Sequence, residues 1–435
     1  MLVRMIPTLL LITAMAAAAT KNGTPVTFHK DVLPILQENC QRCHRAGEAA
    51  PMPLLNYAEA RPWAQAIREA VLLKRMPPWF ADARYGNFSN THALSQAEIE
   101  TLVAWADSGA PEGDTAAAPP PAVFAAGWNI GEPDVIIEMP EAFEVPAAGT
   151  IDYHYLVLPT NFGEDRWVQA AEVRPGNRAV VHHVIAFVRP PGSQYLEEAE
   201  PGKVFLPQER KRKEGEPERD ETRELLVGFA PGMEEGVWKD GYAKLLPAGA
   251  DIIFQLHYTA NGKPATDKTS VGLVFAKEKP RKRVVTLAAM NTKFEIPPGA
   301  PNHEVKTNWI LNESVELVSL MPHMHLRGKD FLYKAFYPTG ESEILLNVPR
   351  YDFNWQFFYY LKEPKLLPKG TRLDCTAHFD NSPNNPANPD PAKEVRWGDQ
   401  SWEEMMIGWF EIAMDPDANV KAYTKKGKAS TGRSD

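Results

Sequence analysis

"VVHHVIAFV", residues 180–188, decides how most of this chain is read. It carries five β-branched residues, a phenylalanine and no breaker, which predicts a buried strand. Two histidines, His182 and His183, stand in its middle. Neighbours on a regular strand point to opposite faces. One imidazole would then face the core and the other would face away. Aiming both at one ion requires a local twist or bulge, or contact through the ring nitrogen nearest the backbone, Nδ1.

The same texture continues on either side. From residue 128 to about 414, short apolar or alternating runs such as "DYHYLVLP", "ADIIFQLHYTA", "FLYKAFYP" and "TRLDCTAHFD" are separated by Gly, Pro, Asn and Asp. Helical periodicity is scarce, so antiparallel sandwiches are expected. The length suits two subdomains, 128–280 and 281–414. Histidines recur on these runs: His257 in "FQLHY", then His323 and His325 in "MPHMHLRG". Residues i and i+2 of a strand share a face, which suits a two-nitrogen metal grip. "SWEEMMIGWFEI" adds Met405 and Met406 on a further apolar strand. A lone strand histidine is ordinarily structural, and a strand methionine ordinarily fills core; the signal is their order along one all-β region.

The first part of the chain differs. Residues 1–19 have a basic start, an apolar run and an alanine-rich end. This is a secretory signal pattern, predicting periplasmic or secreted protein without firm membrane association, since no later run approaches a membrane span. "ENCQRCHRAG" holds Cys40-x-x-Cys43-His44, the spacing for covalent haem c attachment: two thiols meet one haem edge and the adjacent histidine reaches the iron. Short helices flank it. In "LSQAEIETLVAWADSG", Ser95 and Glu98 form a capping box, Ile99, Leu102, Val103 and Ala106 form an apolar stripe, and Gly109 ends the helix. Residues 24–113 resemble a small cytochrome c. Met76 in "KRMPPWF" is the preferred sixth iron ligand, with Met52 in "APMPLL" as its rival. His29 and His92 read as surface or loop histidines. Residues 114–127 are an Ala/Pro linker, and 415–435 a mobile basic tail. The net charge of −9 argues against a general nucleic-acid binder. The three cysteines exclude a disulfide framework, and Cys375 reads as a small buried hydrophobe.

Over residues 128–414, "VVHHV", "FQLHY", "HMHLRGK" and "EEMM" together resemble the type II copper, ascorbate-dependent monooxygenases, the peptidylglycine-hydroxylating and dopamine-hydroxylating enzymes. The resemblance implies an electron-transfer copper on His182, His183 and His257, with Nδ1 coordination as precedent. It also implies an oxygen-activating copper on His323, His325 and Met405, the acidic residue before the methionine favouring Met405 over Met406. A thioether suits Cu(I), whereas a His₂Met set is poor for zinc or non-haem iron. The cofactors expected are two copper ions and one covalent haem c. The partners are O₂, a small organic substrate and an upstream electron donor. Relatives hold a substrate carboxylate with an Arg, an Asn and a Tyr; the matching positions here are Met321, Ile407 and Trp409, which implies a neutral, apolar substrate unless Arg327 turns inward instead. His378 is a further candidate for a supporting role near the copper. The expected fold class is therefore multidomain: a small all-α cytochrome c domain followed by two all-β, jelly-roll-like sandwich subdomains. The alternatives are a non-enzymatic electron carrier with a β docking module and a copper chaperone or sensor.

Overall fold

The apolar run around His182 forms the strand Val181–Arg189, hydrogen-bonded on one side to Asp251–Tyr258 and on the other to Glu224–Phe229. Strand His154–Pro159 completes this four-stranded sheet beyond Asp251–Tyr258. The computed structural model describes residues 25–48, 50–125, 127–207 and 220–424. The expected signal peptide, most of the charged run 207–224 and the end of the basic tail lie outside the described residues.

Two compact units divide the chain. The larger comprises residues 80–91 and the chain from 125 onward. Its second sheet has nine strands. Along the main path they run Val135–Glu138, Ser270–Phe275, Arg166–Arg174, Tyr242–Leu246, Lys282–Met290, Ile407–Met414, Val315–His323 and Tyr359–Leu367, with Gly236–Val237 beside Arg166–Arg174. This sheet runs unbroken from the first half of the β region into the second, through a parallel join pairing Lys282 with Tyr242. A third sheet holds His303–Ile310, Arg372–Phe379, Gly328–Phe336 and Ser342–Val348 in that order.

Packing follows strand alternation. Leu156, Val184 and Phe254 from the four-stranded His182 sheet share one buried cluster with Val168, Ala171 and Leu273 from the nine-stranded sheet. Two sheets facing each other across side chains of this kind form a sandwich. In the second half, Trp309 and Phe410 meet edge to face at 5.8 Å, and the Tyr333 hydroxyl donates to the Trp409 carbonyl at 3.0 Å. A Cβ on Gly408 would lie 2.6 Å from Cys375 Sγ, so only glycine lets these layers approach so closely.

At the parallel join a lysine is sealed in. Lys244, 1% exposed, ion-pairs with Glu411 at 2.9 Å and donates to the Leu225 carbonyl and Thr286 Oγ1, both at 2.6 Å. Ser319 donates to the other Glu411 oxygen at 2.9 Å. These residues come from five strands in both halves of the β region.

Residues 80–91, which the sequence assigned with the haem motif, belong to the larger unit. Asn90 Nδ2 donates to the Phe358 carbonyl at 2.7 Å, Ser89 N donates to the Tyr360 carbonyl at 2.9 Å, and Phe88 packs on Tyr359.

The smaller unit spans the described residues up to 79 together with 92–124. Here the expected fold class is corrected. The molecule is mostly β-sheet, its helices are few and short, and they do not make an all-α cytochrome c domain. The longest, Gln96–Asp107, has 12 residues, and Ala64–Leu72 has 9. Proline and turn residues explain this. Pro34 and Pro62 occur only in first turns, where no amide bond is lost. Pro51 and Pro53 keep residues 50–55 out of helix, and Pro77–Pro78 do the same after Leu72. Ser95 and Glu98 do form the capping box. Phe28, Leu36, Leu102 and Trp105 are fully buried and share a core.

Candidate metal site

The ladder around His182 is irregular in the way two co-directed imidazoles need. Val181 pairs with Tyr258 and His183 with His257. Two steps on one strand match one step on its neighbour, so His182 is the extra residue of a β-bulge. The bulge turns the His182 ring toward that of His183, their centroids 3.9 Å apart. His257, directly across the ladder, has its ring 5.7 Å from His183. The Tyr153 ring stacks flat on His257 at 3.5 Å.

His323 ends the strand Val315–His323, and His325 lies in the turn leading to Gly328–Phe336. Their rings are 5.3 Å apart. The Phe353 ring lies between the two histidine groups, 5.5 Å from His182, 5.8 Å from His183 and 5.9 Å from His325. Three of the five imidazoles, from both groups, thus meet one phenylalanine.

Burial holds these rings neutral. It pushes His183 and His257 well below the usual imidazole range, and the neighbouring histidines reinforce it. His323 falls to about 4, by burial against the opposing Gln356 bond. His325 falls to about 3, by burial and then His323. His182 is lowered by burial as well. A neutral imidazole is the metal-binding form.

The nitrogens test whether a metal fits. His183 Nε2 and both nitrogens of His257 are buried without a hydrogen-bond partner. Buried polar atoms are nearly always satisfied, and leaving one bare costs about 1–3 kcal/mol. A metal ion held by His183 and His257 would relieve two of these three nitrogens, since one imidazole gives a single nitrogen to a given ion. In the other pair, His323 Nδ1 faces Gln356 Oε1 at 2.6 Å, and Gln356 Nε2 donates to the Phe353 carbonyl at 3.1 Å, which orients the amide. His325 Nδ1 faces the Glu403 carbonyl at 3.2 Å. Both acceptors take the Nδ1 proton, leaving the Nε2 lone pair for a ligand. Among the described residues no three His, Cys, Asp or Glu side chains are drawn close enough to hold a metal as they stand. The donor set fits, and ring rotation would have to close it.

His183, His257, His323, His325 and Met405 line one cavity of about 350 Å³. Met406 points instead into the core, 0% exposed. The strand begins only at Ile407, so Met405 sits on the irregular segment before it. Met321, Ile407 and Trp409 line the same cavity. Their strands are paired, His323 with Ile407 and Met321 with Trp409. The charged lining residues Glu221, Arg223 and Asp399 are exposed.

Two expected bystanders are placed. Arg327 is 1% exposed and donates from Nε to Asn381 Oδ1 at 2.8 Å and from Nη1 to the Trp402 carbonyl at 2.9 Å; it does not line the cavity. His378 is held by Asp330 at 2.6 Å on the third sheet and does not line it either. Sequence reasoning missed Phe353, Gln356 and Tyr153, which lie in no motif. It used Glu404 only to choose between two methionines. Glu404 is fully buried, and burial pushes its carboxyl up to about 8 against bonds from the Arg327, His325 and Met405 amides.

In the smaller unit, Cys40 follows the helix Leu33–Asn39, and a turn returns the Cys43 and His44 amides to the Cys40 carbonyl at 3.1 and 2.9 Å. Burial, then Cys43 and Glu98, pushes the Cys40 thiol up to about 12. His44 Nδ1 donates to the Met52 carbonyl at 3.1 Å, leaving Nε2 as the free donor nitrogen. Burial lowers its pKa against that bond. Met76 follows the helix Ala64–Leu72, its amide on the Ala70 carbonyl at 3.4 Å. His92 packs on Trp79, and His29 pairs with Glu112 at 3.3 Å.

No known protein family and no curated protein matches the chain. Matches among solved structures include infectious bursal disease virus capsid proteins. The Gx strain structure is 8% identical over 67% of this chain and 75% of that one, with a TM-score of 0.20. The VP2 subviral particle is 8% identical over 68% and 75%, with a TM-score of 0.19. Scores this low carry no argument.

Proposed function

We propose that the chain is an exported copper-dependent monooxygenase that hydroxylates a C–H bond of a small, neutral, apolar substrate. The observation that carries this reading is the cavity lined by His183 and His257, whose buried nitrogens lack partners, together with His323, His325 and the Met405 thioether. The reaction takes R–H, O₂, two electrons and two protons to R–OH and water. When bound, two coppers and a haem c would supply the one-electron transfers and the activation of O₂.

The chain's own residues divide the remaining work. His182, His183 and His257 form one donor set. His323, His325 and Met405 form the other, with Gln356 and the Glu403 carbonyl holding the imidazole protons away from the metal. Met321, Ile407 and Trp409 make an apolar wall beside the second set. A carboxylate against that wall would lose hydration without gaining a partner from these three side chains, at a cost of about several kcal/mol, and the cation among the lining residues, Arg223, is exposed. Cys40 and Cys43 would hold the haem covalently, and His44 Nε2 would be its donor nitrogen.

Metal analysis of purified chain tests the reading. Wild type is expected to hold two coppers and one haem that stays attached after denaturation. His182→Ala and His323→Ala should each lose one copper, and wild type should consume O₂ with a reductant and a C–H substrate. If neither substitution changes the copper content, the reading fails.

A further inference from the structure

We propose that Glu404 is a positioning residue that locks His323, His325 and Met405 into one frame. The inference rests on the reading of those three as metal donors. It concerns a side chain that would touch neither metal nor substrate, because Glu404 does not line the cavity.

The geometry is a two-pronged clamp. Glu404 Oε2 accepts the His325 amide at 2.8 Å, and Oε1 accepts the Arg327 amide at 2.6 Å. The Met405 amide bonds the same carboxylate. The His325 and Arg327 amides are peptide donors of the turn between Val315–His323 and Gly328–Phe336, where the strand ladder provides no partner. The clamp is tied down elsewhere too. The Glu404 amide donates to the Arg396 carbonyl at 3.1 Å. The buried Arg327 guanidinium reaches back to the Trp402 carbonyl, and His325 Nδ1 donates to the Glu403 carbonyl. Segment 402–405 and turn 325–327 are therefore cross-linked from both sides, without a strand between them.

A carboxyl group suits this arrangement in either protonation state. It offers acceptors on both oxygens, whereas an amide of the same shape has one oxygen and one NH₂ group. In Glu404→Gln, one buried peptide N–H would face an N–H donor. In Glu404→Ala, both would be stranded without an acceptor. Either change frees the turn carrying His325 from the segment carrying Met405. Donor sets are sensitive to such support, and loss of an outer partner typically lowers metal affinity ten- to a hundredfold.

The test uses the full chain as wild type, Glu404→Gln and Glu404→Asp, the last retaining both acceptors on a shorter arm. Two readouts are taken: amide hydrogen exchange over residues 321–330, and copper affinity with sulfur scattering by X-ray absorption. Glu404→Gln should show at least roughly tenfold faster exchange at His325 and Arg327. It should also lose ten- to a hundredfold affinity at one copper, and its sulfur ligand, while the other copper stays bound. Glu404→Asp should recover part of both. If wild type binds two coppers and Glu404→Gln matches it in exchange, affinity and sulfur scattering, the positioning role is wrong while the copper reading stands. A wild-type chain that binds no copper overturns the reading and the proposal together.

Discussion

Single atoms separate alternatives that residue type left open. Met405 and Met406 are adjacent and chemically identical, yet one lines the cavity and the other is core. Met405→Ala is therefore expected to abolish substrate hydroxylation while leaving the all-histidine copper bound and reducible, which stopped-flow reduction would follow. Met406→Ala should act instead on stability, by about 2–5 kcal/mol for a buried methionine. The two haem candidates separate on similar grounds. The Met52 carbonyl already accepts the proton of His44 Nδ1, which sets Met52 on the side of the ring opposite Nε2. That is the side away from the nitrogen that would hold a haem iron. Met76→Ala is thus expected to change the reduced haem spectrum and lower its potential, and Met52→Ala to leave both nearly unchanged. A spectrum that responds only to Met52 would reverse the assignment.

At the scale of elements, the histidine pair is a problem of register. The sequence demanded either a bulge or coordination through Nδ1, and the strand Val181–Arg189 contains the bulge. Deleting His182 should restore an even ladder, because Val181 and His183 would then face Tyr258 and His257 without a gap. The deletion is expected to fold, to keep the copper at His323 and His325, and to lose the other. Copper analysis beside a melting curve reads both outcomes, and a deletion variant that keeps two coppers would show the bulge to be incidental. The helices teach the opposite lesson. Capping signals at Ser95 and Glu98 were legible because they are local. The extent of helix was not, because prolines cut the segments between caps into turns.

Across the molecule, two features tie the β region together. Lys244 and Glu411 are buried at the join between its halves. Removing one partner leaves a buried charge, so Lys244→Ala should cost about 3–5 kcal/mol, whereas Lys244→Met paired with Glu411→Leu should cost much less or nothing. Denaturant melts of the single and double variants would decide. The second feature is the set of suppressed imidazole pKa values. His323 falls from 6.5 to about 4 and His325 to about 3, with His183 and His257 also lowered. Below pH 6.5 the unfolded chain binds protons that the folded chain refuses. Stability of the metal-free protein should therefore fall as pH drops from 6.5 toward 4, by up to about 1.4 kcal/mol per histidine per pH unit. Urea midpoints at several pH values, compared with a His257→Phe variant, would show the slope shrink if this account holds.

The sequence by itself determined the chemistry on offer: which imidazoles and thioethers exist, that Cys40, Cys43 and His44 have haem-attachment spacing, and that the run around His182 and His183 forms a strand. Those facts depend on side-chain type and on neighbours a few positions away. It could not determine that His183 pairs with His257, that Phe353 joins both histidine groups, or that Glu404 receives the amides of His325 and Arg327. These are contacts between residues tens to more than a hundred and fifty positions apart. They depend on sheet order and on which buried groups lack partners, and no local pattern encodes either. The all-α expectation for the first segment failed for a different, local reason: helix-start signals were present, but the prolines between them set how far each helix ran.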